Sequence, residues 1–230
     1  MSESRASHVY ETILRRVLVG DYRPGQALTR RDVAAELGVS ISPVNEAFVV
    51  LQSERIVETV PRKGTFIARL DRRDLAELTI VRTALEVEAA RAYCGGRISE
   101  RARELLELAA RVDAAEPVTY EHLHADVVFH RALVALSGNR FLASMLDTVI
   151  ARSLLLAMGA ALAAHGKPAS MSHRKLVRDL CAASPESVAP IVRKNIYSGK
   201  ETFLDSDPTG TARTGSPLDL VLSVIKESCP

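Results

Sequence analysis

Asp126 and His130, in "HADVVFHRALVALSGNRF", stand four residues apart. On a helix both project from one face, where a carboxylate oxygen and an imidazole nitrogen are able to share one divalent cation. The same spacing suits a plain hydrogen-bonded pair, which is the commoner use on an arbitrary helix. His122 and His124 precede the pair and are read as pointing elsewhere on the helix, as surface residues. His173 opens a later helix, and antiparallel packing of the helix after that brings position 195, an asparagine, beside it. Arg82 and Glu86 repeat the four-residue spacing, which suits an i,i+4 salt bridge. A guanidinium also offers bidentate geometry to the carboxylate of a small molecule.

These side chains need helices to hold them, and the apolar periodicity supplies them. Tyr10, Ile13, Leu14, Val17 and Leu18 recur every three or four residues and predict a first helix over 8–19. "GDYRPG" breaks it at Pro24 and Gly25. A second helix over 30–37 turns Val33, Ala34 and Leu37 inward, and Gly38 ends it where a positive φ is needed. Ser42 is read as the N-cap of a third helix, with Pro43 in the first turn, where no N–H is missed. Val44, Ala47, Phe48 and Leu51 of that helix face the core. "IVETV" and "TFIAR" read as strands around "PRKG", a hairpin with Gly64 at its tip. Helix, helix, tight turn, helix and hairpin make a winged helix-turn-helix over residues 1–70.

After that the strands stop. "DRRDLAELTIVRTALEVEAARAYC", with Asp71 as N-cap, begins a six-helix domain over 71–204. Its further helices are expected at about 99–114, 119–136, 140–164, 170–183 and 185–200. Residues 205–230 start with the polar "DSDPTGTARTGS" and read as a flexible tail, with a short helix at "SPLDLVLSVIKES". The expected fold is mainly α: an N-terminal winged helix-turn-helix with a small β-hairpin, then an all-α C-terminal bundle.

Composition narrows the function classes. Hydrophobic residues make up 47% of 230 and aromatics only 4%, so Leu, Val and Ala must build the core. The net charge of +2 does not by itself argue for nucleic acid, although residues 1–70 hold 10 basic against 8 acidic side chains. Cys94, Cys181 and Cys229 lie far apart with no CxxC pair, which indicates neither a disulfide framework nor a cysteine zinc knot. "MSESRASHVY" lacks the apolar core of a signal peptide, and the longest apolar run, "LLLAMGAALAA", falls short of a membrane span. A soluble, cytoplasmic protein with no membrane partner is expected.

The stretch "VGDYRPGQALTRRDVAAELGVSISPVNEAFVVLQSERIVETVPRKGTFIARL" resembles the DNA-binding domain of GntR-type bacterial transcription regulators. The likeness lies in the PG turn, the "LGVS–x–x–PV–x–EA" core and the P-x-x-G wing. The helical half resembles the FadR-type C-terminal effector domain in its six-helix, VanR-like variety, and the whole likeness covers about residues 8–203. It implies that the third helix enters the major groove of operator DNA and the wing reaches the minor groove. Arg31, Ser40, Ser42, Pro43, Asn45, Lys63 and Gly64 then approach the duplex. A solvated face is the plain alternative for Arg30, Arg31, Arg62 and Lys63. The family usually carries arginine where this chain has Ile41 and Asn45, and often glycine where it has Arg55. Asn45 is still able to pair with adenine, and Ile41 to touch a thymine methyl.

The resemblance also implies a divalent metal, Zn²⁺ or Ni²⁺. Its ligands would be Asp126, His130, His173 and a last position where the family has His and this chain has Asn195. An amide oxygen is a poor substitute for imidazole. His165 is read as complementing a helix dipole or, alternatively, as replacing the lost ligand. Arg82 would point at the carboxylate of a small organic acid. Asn139, in "SGNRF", would lie beside the pocket or cap the helix that starts at Arg140.

The function expected is a homodimeric, metabolite-responsive DNA-binding regulator, a repressor sensing a small organic acid, and not an enzyme. Two other classes stand beside it. A metal-dependent enzyme on a helical bundle would use an open metal position, but no nucleophile motif supports it. A constitutive repressor that has lost effector sensing is kept in view by Asn195.

Overall fold

The computed structural model describes residues 4–69, 72–117, 119–163 and 172–198. Ser4 accepts a hydrogen bond from the Ser7 amide and starts α1 (Arg5–Val19), three residues before the expected start at 8. Val9, Ile13, Leu14, Val17 and Leu18 form its buried stripe. Thr29 caps α2 (Arg30–Leu37), which ends at Gly38 with φ +62, a left-handed conformation that favours glycine. The third helix, α3 (Ile41–Ser53), begins two residues earlier than its sequence suggests: Ser40, not Ser42, is the N-cap. Pro43 still lies in the first turn, where its missing N–H breaks no helical bond. Val44, Ala47, Phe48 and Leu51 are buried as expected and pack α3 on α1 and α2.

β1 (Val57–Val60) and β2 (Gly64–Ile67) pair antiparallel, in register from Val57 opposite Ile67 to Val60 opposite Gly64. Gly64, with φ +120, therefore closes the ladder, and the tip itself is Pro61–Lys63 with Arg62 at φ +63. Arg55, where the resemblance leads one to expect glycine, has φ +54 and meets that conformational demand with a side chain. A bridge between Ala27 and Phe66 ties the α1–α2 connection to the wing.

The helical half contains α4 (Arg72–Tyr93), α5 (Gly96–Glu100), α6 (Ala102–Ala114) and α7 (Tyr120–Ala135), then α8 (Arg140–Ala163), α9 (His173–Ala182) and α10 (Val188–Tyr197). The one helix expected over 99–114 is split, because Arg101 leaves helical geometry at φ −110, ψ 10. α4 is the central element, packed on α8, α10 and α7, while α6 packs on α7 and α9. Residues 140–158 of α8 are long and apolar enough to cross a bilayer by length and composition, which the run of eleven apolar residues understated. Here α8 packs against α4 and α7, and Leu146, Ile150 and Leu155 are fully buried, as in the core of a bundle. Cys94 and Cys181 are free thiols. Asp71, His165, Cys229 and the segment 205–230 lie outside the described residues.

Among the described residues, side chains of α1 and the end of α3 reach α7. Arg15 on α1 reaches Glu121 at 2.7 Å and stacks 4.6 Å above the Tyr120 ring, both on α7. Glu54, at the end of α3, accepts from the Tyr10 hydroxyl at 2.6 Å and lies 3.7 Å from Arg131 of α7. Arg131 in turn holds Asp147 of α8 at 2.6 Å. Burial pushes the Glu54 carboxyl above its ordinary range, with Tyr10 and Arg131 pulling the other way.

Candidate functional site

Positions 122, 126 and 130 follow one another at four-residue steps and line one stripe of α7. His130, at 1% exposure, has its Nδ1 2.6 Å from Glu86 Oε2 on α4 and its Nε2 3.1 Å from Asp126 Oδ1. His173, the first residue of α9, has its Nε2 3.3 Å from the same Asp126 oxygen. Its Nδ1 lies 3.0 Å from Asp113 Oδ1 on α6. One donor atom from each of Asp126, His130 and His173 thus falls within 4.8 Å of the others.

Each imidazole is oriented by a carboxylate. With both Nδ1 atoms assigned as the protonated donors, to Glu86 and Asp113, both Nε2 lone pairs face a carboxylate oxygen. That oxygen, Asp126 Oδ1, is buried and receives no well-formed hydrogen bond among the described residues, despite the short distances to the two rings. Three lone-pair atoms converging in a buried place repel one another unless a cation or proton sits among them. The donor types and the supporting carboxylates therefore fit a divalent metal.

A proton on His173 is the competing solution. Burial opposes its protonation, but Asp126 and Asp113 outweigh burial and raise it above its ordinary value. Asp126 is held well below the usual carboxylate range, since the two histidines overcome the cost of burial. Burial works on Glu86 as well, yet His130 at one oxygen and Arg82 at the other bring it down to about 2. Burial would also lift Asp113, but hydrogen bonds from Ser172 and from the His173 backbone and ring hold it low.

Arg82, on α4, is 1% exposed and gives its Nε to Glu86 at 2.5 Å. The salt bridge foreseen between them is therefore present, and it ties Arg82 through Glu86 to His130. No other hydrogen bond of the guanidinium occurs among the described residues, which leaves its two terminal nitrogens for a further partner. Thr79 Oγ1 on α4 and Ser153 Oγ on α8 are buried without partners there as well. Asn195 is buried on α10, which packs on the helix of His173. Asn139 is exposed, and its Oδ1 caps α8 by accepting from the amides of Phe141 and Leu142 at 3.0 and 3.2 Å. Its side chain is committed to the cap.

His124 is exposed and stacked on Tyr120, as a surface residue would be. His122 corrects the surface reading. It is half-buried, its Nδ1 is buried without a hydrogen-bond partner, and burial lowers it below its ordinary value. The signal was in the spacing, because 122 precedes 126 by four, as 126 precedes 130. Asp113 and Glu86 are the supporting residues that spacing did not reveal as such: Asp113 lies 60 residues before His173, and only packing brings them together.

On the winged helix, Arg31, Ser40, Ser42, Asn45, Lys63 and Gly64 are all exposed. Pro43 is buried, so it shapes the turn and offers no surface to a partner, contrary to its expected place among the DNA contacts. The reason is helical phase, since 43, 44, 47 and 51 share the inward face. The outward face of α3 carries Ile41, Ser42, Asn45, Glu46 and Val49, with no positive charge. Arg30 is stacked 4.7 Å from the Phe48 ring.

Comparison with known proteins agrees with this architecture. Residues 5–67 match the family described as "Bacterial regulatory proteins, gntR family", and residues 77–197 match the "FCD domain". A "Probable D-xylose utilization operon transcriptional repressor" of Paenarthrobacter nicotinovorans is 31% identical over 187 residues, covering 79% of this chain and 80% of the relative. An "Uncharacterized HTH-type transcriptional regulator in unstable DNA locus" of Streptomyces ambofaciens is 30% identical over 131 residues, 57% of this chain and 56% of the relative. The "Nta operon transcriptional regulator" of Aminobacter aminovorans is 30% identical over 132 residues, 57% and 63%. The chain thus spans less than two thirds of the length of these last two. A GntR crystal structure from Rhodococcus sp. RHA1 shares the fold with a TM-score of 0.60 at 23% identity, covering 89% of this chain and 100% of that one. The chain belongs to the GntR family of bacterial regulatory proteins, and its helical half is an FCD domain.

Proposed function

We propose that this protein is a metabolite-responsive, DNA-binding transcription regulator, a cytoplasmic repressor that senses a small organic acid. The observation that carries the reading is the joining of two parts in one chain. An exposed α3 and wing stand on the N-terminal half, and a buried Arg82–Glu86–His130–Asp126–His173 network lies in the helical half. As a homodimer the protein would set two readers on a pseudo-palindromic operator. Arg31, Lys63 and the Gly64 backbone would hold phosphates or the minor groove, and Ser40, Ser42 and Asn45 would meet bases or backbone in the major groove.

In the helical half, Asp126, His130 and His173 would hold Zn²⁺ or Ni²⁺, with Asn195 adjoining. The metal would supply a positive charge to an acidic ligand, and the terminal nitrogens of Arg82 would take its carboxylate. α7 is the natural route between the parts. Its inner face carries Asp126 and His130, while Glu121 and Arg131 hold α1 and the end of α3. A ligand that binds two positions of α7 unequally would change how the readers are presented, and one that binds both equally would change nothing.

Selecting bound duplexes from a random-sequence pool tests the reading. Enrichment of a two-fold-related site is expected, followed by a change in its affinity when small carboxylates are added with Zn²⁺. A pool that remains unenriched at low salt would reject the assignment.

A further inference from the structure

We infer that His122 supplies the nitrogen donor that position 195 lacks, so that this chain holds its metal with Asp126 and three histidines, His122, His130 and His173. The inference rests on the metal reading above and adds one residue to it.

Three observations support the assignment. First, 122, 126 and 130 are consecutive members of one stripe on α7, so the Cβ of His122 leaves the helix on the side that carries the other two ligands. Second, His122 Nδ1 is buried and makes no hydrogen bond among the described residues. Buried polar atoms are nearly always partnered, and an exception asks for a ligand, ion or water. His130 and His173 each have one ring nitrogen engaged by a supporting carboxylate, whereas the buried nitrogen of His122 has none. Third, position 195 carries an amide, a weak donor for the borderline-soft ions that imidazole favours. A site with three strong donors gains most from a fourth imidazole.

His122 does not belong to the tight group of three, whose donor atoms lie within 4.8 Å of one another. Joining it requires the ring to move toward that group, and the residue is half-buried rather than locked in the core. Binding would be coupled to loss of any proton on the ring and to formation of one nitrogen–metal bond.

Titration of the purified full chain with Zn²⁺ against a competing chelator tests this. His122→Ala should weaken Zn²⁺ binding at least 10-fold, since changes in supporting residues alone reach 10- to 100-fold. Asn195→Ala should alter it less than 3-fold, and His130→Ala should abolish most of it. The imidazole nitrogen resonances of His122 should also move on Zn²⁺ addition, a response that a merely structural role would not give. Unchanged affinity in His122→Ala, with binding lost in His130→Ala, overturns the inference and leaves the metal reading standing. No Zn²⁺ binding by the unaltered chain overturns both. A large loss in Asn195→Ala with none in His122→Ala would assign the fourth place to the amide.

Discussion

Arg82 illustrates how one residue satisfies two readings. Its Nε is fixed on Glu86 while its remaining nitrogens have no partner among the described residues, so the salt bridge is compatible with the proposed ligand contact. Arg82→Ala should lower carboxylate affinity by about 1.5–3 kcal/mol, the worth of a hydrogen bond to a charged group. Calorimetry with a screened acid, on protein verified as folded, measures it, and undiminished binding would leave Arg82 a purely internal role. On the DNA side, Arg31→Ala and Lys63→Ala should weaken binding across sequences and flatten the salt dependence by roughly one unit of slope per lost contact. Asn45→Ala should instead relax preference at one base pair. If neither basic change matters at low salt, α3 and the wing do not face the duplex as proposed. That the outward face of α3 has no cation makes the flanking charges carry more of the affinity.

At the scale of elements, α7 is the helix whose two faces have different duties. Arg15–Glu121 and Arg131–Glu54 are the side-chain ties between α7 and the winged helix that the described residues show most clearly. Arg15–Glu121 is exposed and contributes little stability, and Glu54, which is buried, keeps the Tyr10 hydroxyl as a partner when Arg131 is removed, so the double change should spare the fold. The double change Arg15→Ala and Arg131→Ala should leave both operator binding and Zn²⁺ binding in place while reducing the effect of one on the other. Allosteric couplings typically amount to 5- to 150-fold, and the variant should bring the ratio close to one. Operator titrations with and without Zn²⁺ provide the comparison. A coupling that survives intact would move the route to another pair of elements.

Over the whole molecule, the buried carboxylates set the response to pH. Glu86, held at about 2, and Asp126 and Asp113, both depressed, lie below their unfolded values of about 4. They contribute stability that is present above that range and is lost as pH falls through the folded values. His173 is raised, so its contribution has the opposite sign: present below about 6.5 and lost as pH rises through its folded value. The metal-free protein should therefore be most stable from about pH 4.5 to 6.5 on these groups. Zn²⁺ requires neutral imidazoles, so its stabilising shift in melting temperature should grow with pH and fade below about pH 6. Melting curves with and without Zn²⁺ across pH 5–8 check this. A shift that is equal at all pH values would mean that no histidine binds the ion.

Local rules read from sequence decided the elements: apolar periodicity placed α1, α2 and α3, Gly38 ended α2, and alternation around "PRKG" formed the wing. They also put Asp126 and His130 on one helical face, because a four-residue step is a property of the helix alone. The same rule applied to His122 would have placed it on that face. Pro43 turned inward because it shares the face of Val44, Ala47 and Leu51, a phase that the same periodicity already carried. What tertiary structure alone decided is the support around the site. Glu86 and Asp113 reach His130 and His173 across 44 and 60 residues of chain. No spacing rule spans those distances, because they depend on how α4, α6, α7 and α9 pack, and packing is fixed by the fit of whole helix faces rather than by neighbours in sequence.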